Sequence, residues 1–337
     1  MRRAGRKMNS SSGQIEKDAM KRWLLAALFI LAAAAVLAAA FVWLRGGREA
    51  ARLSSTEPSQ CLSPIAGETP HPGMVRVEGG TFMMGDTLYP EEGPLREVSV
   101  EAFWMDRTEV TNAEFAEFVA ATGYVTVAER PVDTARHPGL PPEMQKPGAV
   151  VFVMPNDVSG TGDISQWWQY IPGANWRHPG GPDTSIEERD HFPVTAIAYE
   201  DAQAYAAWKG RVLPTEAQWE WAAREAKADA PPPRAQPREA NTWQGLFPVA
   251  NNTEDGFVGI APVGCFEPNA LGLYDMIGNL WEWTVDEYET VPGARVIKGG
   301  SWLCAPNYCL RYRPGARQPQ EADLATTHLG FRTVLAP

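Results

Sequence analysis

Leu213–Ala222 read LPTEAQWEWA, and the fold turns on how this stretch is taken. Pro214 stands before Thr215, and Gln218 follows Thr215 at the spacing of a capping box. In that motif the threonine hydroxyl accepts the N–H of the third helical residue, whose own side chain reaches back to the threonine N–H. A short helix therefore starts here. Its aromatic residues, Trp219 and Trp221, read as core packing.

Working outward, Met74–Asp86 (MVRVEGGTFMMGD) alternates apolar residues about Gly79-Gly80 and reads as a hairpin, and Glu97–Asp106 continues as a strand. Thr111 and Glu114 form another capping box. Phe115, Phe118 and Val119 line one face of that helix, and Gly123 suits its end. Val194–Gly210 repeats the theme: a strand, a short helix with Tyr205 and Trp208 turned inward, and Gly210 as a cap. Residues 228–239 (ADAPPPRAQPRE) read as a solvated surface loop. Short strands and long loops follow, with no internal repeat and no heptad. The expected fold is an irregular, loop-rich α+β single domain over residues 74–337.

Composition agrees. The 337-residue chain is 44% hydrophobic, enough for a sizeable core, and its 30 glycines and 29 prolines suit loops better than a helical bundle. A net charge of -11 argues against a nucleic-acid partner. The charge is unevenly spread: residues 1–52 carry about ten basic and three acidic side chains, which leaves the remainder strongly acidic.

Trp23–Leu44 (WLLAALFILAAAAVLAAAFVWL) carries no charge. As a helix it would be roughly 33 Å long, sufficient to cross a bilayer and longer than the apolar core of a cleaved signal peptide. It reads as a single-pass anchor preceded by a basic cytoplasmic tail (1–22), followed by a stalk (45–73), with the large domain on the extracytoplasmic side. Cys61, in the stalk, reads as an exposed spare thiol or an intermolecular bridge.

Cys304 and Cys309 are half of the four cysteines, within GGSWLCAPNYCLRYRP (Gly299–Pro314). An extended chain would hold them roughly 17 Å apart, and a helix would splay them by about 140°. Cooperation needs a bend, which Ala305-Pro306-Asn307 can supply. On spacing alone a disulfide and a metal pair both remain open. Two thiolates make a poor zinc site, and the five histidines are scattered, but cuprous copper is soft and accepts low coordination.

Six segments taken together resemble the formylglycine-generating enzymes, or sulfatase-modifying factors. They are residues 174–185 (ANWRHPGGPDTS), 211–222 (RVLPTEAQWEWA), 241–257 (NTWQGLFPVANNTEDGF), 269–284 (NALGLYDMIGNLWEWT), 299–314 and 328–332 (HLGFR). The resemblance implies a C-type-lectin-like fold and an oxidase. Cys304 and Cys309 would ligate one Cu(I), which an unfolded sulfatase-type protein or peptide would join through the cysteine of a Cys-x-Pro-x-Arg motif. With dioxygen and an external thiol reductant, that cysteine would pass through a thioaldehyde to Cα-formylglycine. Ser301 matches a residue that hydrogen-bonds to the substrate or an oxygen species. Trp281 matches an active-site aromatic, and His328 stands where animal members carry asparagine. Tyr308 and Arg313 would shape the peptide groove.

The resemblance also implies two Ca²⁺ sites, the first from Asn241 and Asp255 with the carbonyls of Thr242 and Phe257. The second takes Asp275 and Glu282 with the carbonyls of Gly278 and Leu280, Asp275 replacing the usual asparagine. Hard Ca²⁺ takes six to eight oxygens, loop carbonyls among them. The positions of the animal family's structural disulfides are not cysteine here, Pro314 and Thr333 among them, so Cys265 is expected to be unpaired and buried. A non-catalytic, membrane-anchored binding or assembly module on the same fold is the competing expectation. An iron sulfoxide synthase is disfavoured, because no HxxxHxE ligand set exists.

Overall fold

A computed structural model describes residues 61–62, 70–228, 236–237 and 239–336. The anchor and most of the stalk lie outside the described residues, as does much of the 228–239 loop. Among the described residues no helix is long and apolar enough to cross a membrane.

The amino-terminal part is one bent ribbon. β1 (Met74–Val77) pairs antiparallel with β4 (Phe103–Asp106), and β2 (Gly80–Met84) with β3 (Arg96–Val100). The expected hairpin across Gly79-Gly80 does not form, because these glycines mark the bend and not a turn. A Cβ on Gly79 would lie 2.7 Å from the Val100 carbonyl oxygen, and one on Gly80 would lie 2.6 Å from the Trp221 ring. Only glycine permits both approaches.

Both capping boxes form. Thr111 and Glu114 open α1 (Asn112–Thr122), which ends at Gly123 in the left-handed region, φ 68°. The helix α2 (Tyr199–Trp208) buries Tyr205, with Trp208 partly buried against the same core. Thr215 and Gln218 open α3 (Glu216–Ala223), where Trp219 and Trp221 are buried against the ribbon. The expected strand at Val194–Ala198 is absent. This buried segment bonds first to Val110 and then to Thr326, so no single neighbour offers it a ladder.

β5 (Gly148–Phe152) and β6 (Trp168–Pro172) form a separate antiparallel pair. A four-stranded sheet has the order β10-β7-β8-β9, made by β7 (Trp281–Glu287), β8 (Ala294–Lys298), β9 (Gln318–Glu321) and β10 (Leu329–Gly330). Within it β10 runs parallel to β7, with Leu329 beside Trp281. The last strand, β11 (Val334–Leu335), returns to the ribbon and pairs with β4. This is a mixed α/β domain with few helices, as expected.

Cys61 and Cys265 form a disulfide across 204 positions of sequence, so neither is a spare thiol. Leu62 packs on Gly264, where a Cβ would fall 2.2 Å from the leucine side chain. Residues 61–62 are thereby fastened to the large domain.

Candidate functional site

β8 ends at Lys298 and runs into Gly299-Gly300-Ser301, both glycines at positive φ. A Cβ on Gly300 would sit 2.9 Å from the Arg311 carbonyl oxygen and 3.3 Å from the Cys304 sulfur. The outgoing and returning chains pass too closely there for any side chain. Beyond them the bend forms as expected: the Tyr308 and Cys309 N–H groups both donate to the Ala305 carbonyl, at 3.1 and 2.9 Å. Asn307 pins the turn from outside. Its Oδ1 accepts from the Phe247 N–H (3.2 Å), and its Nδ2 donates to the Phe247 carbonyl (3.0 Å).

This bend turns two sulfurs five positions apart toward each other, 2.7 Å apart and unbridged. Both are buried. Cys304 is held well above the usual thiol range by burial and by sharing its proton with Cys309. Cys309 is lowered, first by the hydrogen bond from Cys304 and then by the nearby Arg311 guanidinium. The pair is thus asymmetric, with Cys309 the more acidic partner. Arg311 is fixed in turn by an ion pair to Glu91 and by the Tyr89 ring, 4.2 Å below its guanidinium.

The pair lines a cavity of about 350 Å³. Ser301, Trp281 and His328 line the same cavity, so all five expected catalytic residues converge. Ser301 Oγ accepts from the Leu303 N–H at 3.3 Å. The Trp281 N–H donates to the His328 carbonyl (3.0 Å), so the β7–β10 pairing sets both side chains. Burial lowers His328 to about 3, which keeps the ring neutral; Nδ1 lies 3.0 Å from Thr326 Oγ1 and the ring rests on Trp168, centroids 4.6 Å apart. Tyr308 lines the cavity and stacks on Phe247 (4.4 Å, 11°). Arg313 does not shape a groove. It is buried, with Asp86 and Glu92 holding its two Nη atoms and the Leu310 carbonyl its Nε, so its charge is spent inside the protein.

The residues of the first expected calcium site meet around Asp255, whose carboxylate accepts from the Thr242 and Phe257 N–H groups at 3.3 and 3.1 Å. Asn241 links this loop to the second group, its amide donating to Asn279 Oδ1 at 3.0 Å. There Arg332 clasps both oxygens of Glu282 (2.7 and 2.8 Å), and Trp219 Nε1 donates to one of them. Asp275 accepts from the Gly264 N–H at 2.7 Å. The Gly278 N–H donates to Gly299, and the Leu280 N–H meets Glu109, a buried acid that sequence reading missed. Glu109 also accepts from Asn279 Nδ2. Three buried carboxylates therefore surround one guanidinium. Burial, with repulsion from Asp275 and Glu282, raises Glu109 far above the carboxylate range, and burial lifts Asp275 to about 6.

The cysteine donors suit a soft monovalent cation. The acid cluster carries the hard oxygen donors that a divalent cation takes, with the Arg332 guanidinium already paired to both oxygens of Glu282. Glu109 and the walls Trp168 and Phe247 had no signal in sequence, since each acts through a neighbour distant along the chain; Arg311 lies two positions from Cys309 and was passed over.

The fold and this cavity define a protein built to meet a ligand at a reduced cysteine pair. The Sulfatase-modifying factor enzyme 1-like domain matches residues 61–337, and the chain belongs to that family. It is 48% identical over 295 residues to the formylglycine-generating enzyme of Mycobacterium tuberculosis, covering 78% of this chain and 98% of that protein. It is 39% identical over 278 residues to the inactive C-alpha-formylglycine-generating enzyme 2 of Mus musculus, covering 79% of this chain and 86% of that protein. The structure of PvdO from Pseudomonas aeruginosa shares the fold, with a TM-score of 0.51 at 24% identity over 78% of this chain and 94% of that one.

Proposed function

We propose that this chain is a copper-dependent oxidase that converts the cysteine of a Cys-x-Pro-x-Arg motif in sulfatase-type proteins to Cα-formylglycine. The carrying observation is the unbridged Cys304–Cys309 pair, buried yet lining a cavity with Ser301, Trp281 and His328. The name of the mycobacterial relative supports the reaction.

Cys304 and Cys309 would hold Cu(I), which when bound supplies dioxygen activation and a docking point for the substrate thiol. The chain's own residues do the rest. Arg311 favours the anionic form at Cys309, and the Asn307 clamp keeps both sulfurs facing the cavity. The neutral His328 can hydrogen-bond without bringing a charge, and Ser301 offers a hydroxyl beside the pair. Trp281, Trp168 and Phe247 exclude water around the substrate Cβ. The atoms balance with substrate thiol, dioxygen and two external thiols giving aldehyde, hydrogen sulfide, water and one external disulfide.

Ca²⁺ is assigned to the Asp255 loop and to the Glu109, Asp275 and Glu282 cluster. Residues 23–44 are assigned as the anchor, with the domain outside the cytoplasm. The Cys61–Cys265 disulfide supports that placement, since such bonds persist in oxidising compartments.

The test incubates the copper-loaded full chain with a Cys-x-Pro-x-Arg peptide, a thiol and air. Mass spectrometry should show the cysteine CH₂SH replaced by CHO, and Cys304→Ser should abolish it. A wild-type chain that binds the peptide and leaves its mass unchanged would favour the second reading, a non-catalytic binding module, which the inactive mouse relative supports.

A further inference from the structure

The Cys61–Cys265 disulfide lies outside the cavity, yet it connects to it through a short series of contacts. Cys265 follows Gly264, whose N–H is bound by the Asp275 carboxylate and whose Cα is covered by Leu62. Leu62 and Glu109 also line one further cavity of about 420 Å³. Leu62, next to Cys61, therefore forms part of the wall beside the acid cluster. The cluster in turn supports the cysteine loop. The Gly278 N–H donates to the Gly299 carbonyl (3.0 Å), and the Trp302 N–H donates to the Asn279 carbonyl (2.9 Å), two residues before Cys304.

We propose that Cys61–Cys265 is a redox latch on the acid cluster, and through it on the loop that carries the cysteine pair. Closed, it holds Gly264 against Asp275 and Leu62 over the cavity. An external dithiol opens it: two electrons and two protons convert the bridge to two thiols, and the dithiol becomes a disulfide. Both cysteines are only partly buried, so a reductant can reach them. Opening frees the 61–62 segment, loosens Asp275 and weakens cation binding at the cluster. The cation part of the latch rests on the calcium reading above; the loop part does not.

The experiment compares the oxidised full chain, the same chain under mild dithiol, and Cys61→Ser/Cys265→Ser. Ca²⁺ affinity is read by calorimetry, and amide exchange is read over residues 299–304. The double variant, compared without reductant, separates the latch from any effect of dithiol on Cys304 and Cys309. Both open forms should bind Ca²⁺ on the order of tenfold more weakly and exchange faster at 299–304. Equal affinity and equal exchange in all three would overturn the latch. If the oxidised chain binds no Ca²⁺, the calcium reading fails instead, and the exchange comparison alone decides the latch. Leu62→Ala, which keeps the disulfide, should give a smaller change in the same direction.

Discussion

Asn307 is the residue whose replacement most directly tests how the cysteine pair is held. Its side chain makes two hydrogen bonds to the Phe247 backbone, at 3.2 and 3.0 Å, and Phe247 is buried. Asn307→Ala removes both partners at once. At about 1 kcal/mol for each bond the loss is about 2 kcal/mol, and more if either Phe247 group stays dry. In a domain of this size that lowers Tm by about 4–8 °C. If all of it falls on ordering the bend, Cu(I) affinity drops roughly 30-fold, since about 1.4 kcal/mol is tenfold. A chromogenic chelator competing for Cu(I) measures the affinity, and thermal unfolding of the metal-free chain measures the stability. Affinity within twofold of wild type together with an unchanged Tm would refute the clamp. A lowered Tm with unchanged affinity would show that the clamp supports the fold without preparing the sulfurs.

Arg313→Met takes the Arg313 guanidinium away from the buried Glu92 and Asp86, and chemical denaturation should show a loss of about 3–5 kcal/mol. Asp201 is buried and lifted to about 6 by that burial, above its unfolded value near 4. A raised carboxylate binds its proton more tightly when folded, so its contribution to stability is present below about pH 4 and is lost as pH rises through 6. Unfolding free energies measured across that window should fall, and Asp201→Asn should remove this part of the slope. Cys265→Ser should cost about 2–5 kcal/mol through loss of a long closed loop, read by denaturation without reductant.

Much of the site was legible because its residues are close in sequence. Cys304 and Cys309 share one turn, and Pro306 and Asn307 announce the bend between them. The capping boxes at Thr111 and Thr215 were legible for the same reason, as each is complete within four residues. What failed depended on partners far away. Gly79-Gly80 looks like a turn until Trp221 and Val100 are seen pressing on it. Arg313 sits next to the site in sequence, but Asp86 and Glu92, more than 200 positions earlier, take its charge. Cys61 and Cys265 gave no spacing signal, because nothing local fixes a pairing across 204 positions.

The last strand has a consequence for how the molecule comes into being. β11 closes against β4, so the first sheet is finished by a strand more than 200 positions further along the chain. Contacts of such long sequence separation slow the assembly of the domain.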